Sequence, residues 1–277
     1  MSQLVLRPPF SQLWAGRDPF AEVDALQGQV LRELEGRRTL RTEVDGRGYF
    51  VKIHRGVGWR EIFKNLICLR LPVLGARNEW QAIEHLERIG VDTMRRVAFG
   101  ERGKNPAHKH SFIITEELAP TISLEDYCGP WPCTPPSVAL KRALIVRVAE
   151  IARAMHESGM NHRDFYLCHF LLHTDPPPTP EAIRLSIIDL HRAQIHTQTP
   201  ASRWRRKDLA GLHFSSLDIG LTRRDLLRFL RVYFDAPLCD TLKNQAKLLA
   251  WLQRKAVRLA ERYRRKYPSH SVRGTTS

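Results

Sequence analysis

Between residues 138 and 157 the apolar positions Leu140, Leu144, Val148, Ile151 and Met155 recur at helical spacing, which predicts one long helix with Gly159 placed to end it. Upstream the period changes. Residues 30–35, 40–44 and 49–54 read as three short strands, separated by Gly36-Arg37-Arg38-Thr39 and by the Asp45-Gly46-Arg47-Gly48 turn, and together they predict a small antiparallel sheet. Asp18-Pro19 has the form of a helix cap followed by proline at the first helical position, opening a short helix to about Gln27. A basic, partly apolar segment over 59–71 leads to a second helix over 76–89, closed by Gly90. On it Glu79, Ile83 and Leu86 fall at i, i+4 and i+7, so Glu79 shares the apolar face. Strands over 96–99 and 111–116 complete this half.

An acidic connector, Glu116-Glu117-Leu118-Ala119-Pro120, follows, and the expected boundary lies there: residues 1–117 as a first lobe, 118–267 as a second lobe, and 268–277, rich in Ser, Thr and Gly, as a flexible tail. A Pro-rich loop over 130–136 precedes the long helix. After Gly159 comes His162-Arg163-Asp164, then two short apolar strands over 170–173 and 185–189, joined by the turn-rich insert 174–180. From about Trp204 the chain reads as helical and basic.

Composition narrows the class. An apolar content of 43% over 277 residues is enough for a substantial core in one large domain or two lobes. The most apolar run, residues 62–76, is broken by Lys64, Arg70 and Pro72, well short of the roughly eighteen uninterrupted apolar residues of a membrane span. No charged leader with an apolar run and a small-residue cleavage site opens the chain, which predicts a cytoplasmic protein. Five cysteines at irregular spacing suit a reducing compartment, and without paired C-x-x-C spacing the Cys168-His169 and His173 cluster does not read as a zinc site. The excess of 44 Lys+Arg over 29 Asp+Glu gives a net charge of +15, which favours a polyanionic partner without saying which.

The order of chemistry-bearing residues is more specific. Phosphoryl transfer from ATP needs a cation on the phosphates, carboxylates for magnesium, and a carboxylate beside the attacking hydroxyl. Lys52 lies in the strand Tyr49-Phe50-Val51-Lys52, Glu79 on the following helix is its natural ion-pair partner, and the order helix, Gly, His-Arg-Asp, strand, turn, strand, Asp supplies Asp164 and Asp189. This order resembles the protein-kinase-like superfamily, and it implies an α+β bilobal fold with a small antiparallel-sheet N-lobe and a larger, mainly helical C-lobe.

The strings HRDFYLCHFLLH, IIDLHRAQ, GARNEWQAI, YFVKIHRG and RRKDLA further resemble the lipopolysaccharide core heptose(I) kinase family of Gram-negative bacteria, over nearly the whole chain to about Tyr267. The resemblance implies ATP- and magnesium-dependent phosphorylation of the first heptose of the inner core, on a lipid-anchored acceptor at the cytoplasmic face of the inner membrane. Carried over residue by residue, it makes Asp164 the catalytic base, Asp189 a magnesium ligand, and Lys52, held by Glu79, the contact to the α- and β-phosphates. Gly36 and the connector residues Glu116 and Leu118 fall on the ATP side. His162 and Arg163 become loop scaffolding, and Asp208 becomes the buried carboxylate that pins the loop.

Departures from ordinary protein kinases are informative. His169 stands where the catalytic loop places a metal-binding Asn, so it either ligates the metal through nitrogen or serves packing or a phosphate contact. Asp189-Leu190-His191 replaces D-F-G. Gly36 stands without a G-x-G-x-x-G run, so either Arg37 or Arg38 supplies charge to the phosphates or the segment is a plain basic turn. Two other readings stay open: a protein kinase acting on Ser, Thr or Tyr hydroxyls, which lacks an A-P-E activation segment here, and a catalytically dead kinase-like module binding anionic lipid, which would not need Lys52, Glu79, Asp164 and Asp189 together. The basic stretch 251–267 suits an anionic leaflet or the phosphates of the acceptor, or is simply a solvated helix face; an acidic protein partner would suit the basic surface as a whole. A second basic cluster, 203–207 with Arg223 and Arg224, either lines the acceptor groove or is plain surface. No nucleic-acid motif or aromatic stacking pattern is present, so nucleic acid is not an expected partner.

Overall fold

The computed structural model describes residues 3–34, 36–56, 75–105 and 108–267; the basic segment over 59–71, most of the apolar run over 62–76 and the tail over 268–277 lie outside the described residues. The chain forms two compact units, Met1–Ala119 with Ile187–Gln194, and Pro120–Ser186 with Ile195–Ser277.

The first unit is built on a six-stranded sheet in the order β1-β5-β6-β4-β3-β2. Its strands are β1 (Gln3–Leu6), β2 (Gln29–Leu34), β3 (Arg37–Val44), β4 (Arg47–Arg55), β5 (Arg96–Arg102) and β6 (His110–Glu116), every adjacent pair antiparallel. Two short helices, α1 (Phe10–Leu13) and α2 (Pro19–Ala25), supply Phe10, Trp14, Phe20 and Val23 to a core with Tyr49, Val51, Ile53, Phe112 and Ile114 of the sheet. The rings meet edge to face, Phe10 on Tyr49 at 5.2 Å and Phe20 on Phe112 at 5.3 Å. Asp18 caps α2 as its sequence indicates, accepting from the Phe20 N–H with Pro19 in the first turn. The opposite face carries α3 (Arg77–Arg88).

In the six-stranded sheet, β1 and β3 differ from expectation. Strand β1 has no periodic signal of its own; it exists because it pairs with β5 over four residues at the sheet edge. Strand β3 begins at Arg37, not at Leu40: Arg37, Arg38 and Thr39 pair with His54, Ile53 and Lys52, so the β2–β3 turn is tighter than the basic run suggests.

In the second unit α4 (Leu124–Cys128) follows β7 (Thr121–Ser123), and the long helix α5 spans Val138–Glu157, the range its periodicity predicts. Ser137 caps α5 by accepting the Leu140 N–H. Gly159 ends it with φ 94°, where a side chain would run into the His196 carbonyl. Strands β8 (Met160–Asn161), β9 (Phe170–His173) and β10 (Leu185–Ile187) follow, with a small sheet ordered β10-β9-β7. Helices α6 (Ser202–Ser215), α7 (Arg223–Phe234), α8 (Leu238–Asn244) and α9 (Ala246–Lys266) complete it, α7 packing on α5 and α9 on α6. They enclose an apolar cavity of about 300 Å³ lined by Leu144, Val148, Leu209, Leu212, Leu226 and Leu252, among others. Among the described residues no helix is long and apolar enough to cross a membrane.

Candidate active site

In the first unit, the pleat of β4 decides where Lys52 points. Side chains alternate along a strand, so burying Tyr49, Val51 and Ile53 against the N-terminal helices sends Lys52 to the opposite face. There it lies in one cross-strand row with Thr39 of β3, Ile113 of β6 and, beyond that, Phe99 of β5. Helix α3 covers this face through Trp80, which stacks on Phe99 at 5.3 Å, and the neighbouring Glu79 is left 1% exposed. Lys52 Nζ donates to Glu79 Oε1 at 2.7 Å and to Asp189 Oδ1 at 3.3 Å. Burial works against the Lys52 ammonium, but the Glu79 and Asp189 carboxylates outweigh it and raise its pKa above that of an ordinary lysine. Lys52 is therefore a cation held between two anions.

Asp189 sits in the left-handed region with φ 61°, which Asp tolerates better than most residues. The strand expected over 185–189 accordingly stops at Ile187, because a left-handed residue cannot continue a ladder. His191 Nδ1 donates to Asp189 Oδ1 at 2.7 Å. Asn78, adjacent to Glu79 on α3, donates from Nδ2 to the carbonyls of His191 at 2.9 Å and Ala193 at 2.8 Å. Neighbouring residues of one helix thus fix both Lys52 and the turn after Asp189. Asn78 carries no local signal, since its partners are remote in sequence.

Gly36 closes the β2–β3 turn with φ 71°, and its carbonyl accepts the Arg55 N–H at 2.8 Å. In the connector, the Glu116 N–H donates to the Arg95 carbonyl at 3.0 Å, and Leu118 follows half-buried. Glu117 between them accepts from Arg41 Nε at 2.8 Å and Nη2 at 2.6 Å, a bidentate pair that ties the connector to β3.

His54, two residues beyond Lys52 on the same face, is buried. Burial first, then the charges of Arg37, Lys52 and His191, push its imidazole down to about 3. The unfolded chain binds a proton at about pH 6.5 that the folded chain refuses until about pH 3, so stability falls as the pH drops through that window. From pH 7 to pH 5 the expected loss is about 2 kcal/mol. Urea unfolding of the wild type and of His54→Gln at both pH values checks it: the variant has the flatter dependence, and equal slopes would contradict the assignment.

The second unit holds the His162-Arg163-Asp164 loop. Asp208, fully buried on α6, accepts the His162 N–H at Oδ2 (2.7 Å) and the Arg163 N–H at Oδ1 (2.8 Å). Those two bonds support Arg163 in a left-handed conformation with φ 74°, strained for a residue with a side chain. Behind Asp208 stands His156, its Nε2 3.3 Å from Oδ2 and its Nδ1 2.9 Å from the Tyr233 hydroxyl, a buried chain that no local pattern announces.

The backbone of Asp164 is held at both ends. Its N–H donates to His162 Nδ1 at 3.3 Å, and its carbonyl accepts from His169 Nδ1 at 2.6 Å and from the Tyr166 N–H at 3.1 Å. A carbonyl only accepts, so His169 carries its proton on Nδ1 and, when neutral, has its lone pair on Nε2. The His162 and His169 rings stack at 5.6 Å. Elsewhere Cys128 is an inert thiol pushed by burial up to about 12, and among the described residues no three His, Cys, Asp or Glu side chains gather as a metal cage.

The family model of the lipopolysaccharide kinase (Kdo/WaaP) family matches residues 21–233 of this chain. The chain belongs to that family. It is 64% identical to the lipopolysaccharide core heptose(I) kinase WaaP of Pseudomonas aeruginosa, over 95% of this chain and 98% of that protein. To the Escherichia coli K12 protein of the same name it is 54% identical, over 94% of this chain and 98% of the relative. A solved structure of WaaP in complex with acyl carrier protein superposes with a TM-score of 0.83 at 60% identity, covering 93% of this chain and 99% of that one. The chain is therefore a kinase with the α+β, protein-kinase-like fold that its motif order predicts.

Proposed function

We propose that this kinase transfers the γ-phosphoryl group of ATP to a hydroxyl of the first heptose of the lipopolysaccharide inner core. The observation that carries the reading is the convergence of Lys52, Glu79 and Asp189 in the first unit, in a chain similar along its length to proteins named for that activity. Lys52 binds the α- and β-phosphates and Glu79 orients it. Gly36 and the connector residues Glu116 and Leu118 lie on the ATP side. Asp164 accepts the proton of the sugar hydroxyl, and the bonds at both ends of its peptide unit set its direction. His162, Arg163 and Asp208 keep that loop in shape.

Asp189 fits magnesium: it is an oxygen donor, 33% exposed, in a site that already concentrates charge. His169 fits less well, because magnesium prefers oxygen and only Nε2 remains for a ligand role. Magnesium, when bound, supplies charge neutralisation to the phosphates.

The +15 charge and the basic, partly apolar helix α9 suit peripheral attachment at the inner face of the inner membrane, where such an acceptor is anchored. An acidic protein partner is a second use of the same charge. The related solved structure has an acyl carrier protein as its partner, and the apolar cavity of the second unit has the chemistry of a fatty acyl chain.

The test is to incubate the purified protein with labelled ATP and magnesium, adding either core glycolipid lacking heptose phosphate or a protein mixture. Label in the glycolipid supports the reading; label only in protein, or none, overturns it.

A further inference from the structure

Helix α6 starts in an electrostatically unfavourable way. Its N-cap is Ala201 with no side-chain cap, and its first turn has no acidic residue to meet the positive end of the helix dipole. Cations gather there instead. Lys207 Nζ lies 4.4 Å, Arg203 4.9 Å and Arg163 5.8 Å from the ring centre of Trp204, while Arg206 lies 4.8 Å over Trp251.

Among the described residues Arg203, Arg206, Lys207 and Lys255 have no carboxylate within ion-pair distance. The repulsion registers on Lys207, whose pKa is lowered by burial first and then by Arg163, Arg203, Arg206 and Lys255. Indole faces offset only part of such crowding. Like charges collected on two indoles at a helix N-terminus favour bound anions over the stability of the free protein.

The cluster is also fixed relative to the catalytic loop. Asp208, the residue after Lys207 on α6, grips the amides of His162 and Arg163, and Arg163 immediately precedes Asp164. Asp164 and these cations are therefore carried on one connected framework within the second unit.

We propose that Arg163, Arg203, Arg206 and Lys207, with Trp204 as their platform, form the subsite that binds the anionic substituents of the acceptor glycolipid and so positions its heptose hydroxyl. The ligand groups are oxyanions, either carboxylates of acidic sugars or phosphates. This rests on the heptose-kinase reading and names residues that select its acceptor.

The experiment measures steady-state transfer to three acceptors that all lack the heptose phosphate: otherwise native inner-core glycolipid, carboxyl-reduced glycolipid and phosphatase-treated glycolipid. Wild type is compared with the double variant Arg203→Gln/Lys207→Gln and with Arg231→Gln, an exposed basic residue on α7 outside the cluster. The double variant is expected to raise KM for native glycolipid about tenfold to a hundredfold, with KM for ATP and kcat retained. Arg231→Gln matches wild type. Wild type loses a similar factor on whichever acceptor lacks the recognised anion, and the double variant no longer distinguishes that acceptor from the native one. The acceptor that fails tells carboxylate from phosphate.

An unchanged glycolipid KM in the double variant overturns the proposal while leaving the heptose-kinase reading intact. So does a rise confined to the KM for ATP, or a loss confined to binding of anionic phospholipid vesicles or of acyl carrier protein. Absence of wild-type transfer to any glycolipid overturns both.

Discussion

Replacing Asp164 with asparagine is expected to lower kcat by about two to four orders of magnitude, the range a positioned general base contributes, while leaving the protein folded. The side chain is nearly isosteric, and the backbone bonds to His162, Tyr166 and His169 do not involve the carboxylate. Asparagine cannot accept the hydroxyl proton, so the loss falls on turnover and not on ATP affinity. Single-turnover transfer with saturating ATP, read beside the urea midpoint, separates the two. Lys52 is a poorer place for this test. Removing its ammonium would strand the Glu79 carboxylate in the interior at a cost of about 3–5 kcal/mol, mixing stability with activity.

The second large effect is on stability. Asp208→Ala removes the acceptor for the buried amides of His162 and Arg163 and the partner of His156 in one step. At about 1–3 kcal/mol for each of the three groups left without this partner, the loss is at least about 3 kcal/mol, a large part of the total stability of an ordinary domain. Asp208→Asn keeps one carbonyl oxygen for the amides and is expected to lose less. Equilibrium urea unfolding of both variants checks the order; an alanine variant within about 1 kcal/mol of wild type would mean that the loop holds its shape without Asp208.

Much of this was legible in the sequence wherever local periodicity and parity decide the outcome. The stripe from Leu140 to Met155 marks α5 because a helix buries one face, and the same spacing carries Glu79 inward on α3. The alternation Tyr49, Val51, Ile53 shows that Lys52 faces away from that core, on the face where Glu79 of α3 meets it. What local pattern does not encode is pairing between distant segments. Strand β1 depends on β5, some ninety residues on, and the bonds from Asn78 to the turn after Asp189 span more than a hundred. The neutral state of His54 follows first from its burial and then from the charges of Arg37, Lys52 and His191 that the fold brings near it, and the crowding on Trp204 from Arg163, which lies forty residues upstream. Composition reports a +15 charge; only the fold gathers part of it around two indoles beside the loop.

The central claim, that these residues phosphorylate the inner-core heptose, is tested most directly by tandem mass spectrometry of glycolipid lacking heptose phosphate after incubation with ATP, magnesium and either wild type or Asp164→Asn. The expected result is one added phosphate on the first heptose with the wild type, and unmodified glycolipid with the variant over the same time. Phosphate on any other sugar, unmodified glycolipid with the wild type, or equal conversion by the variant would contradict it.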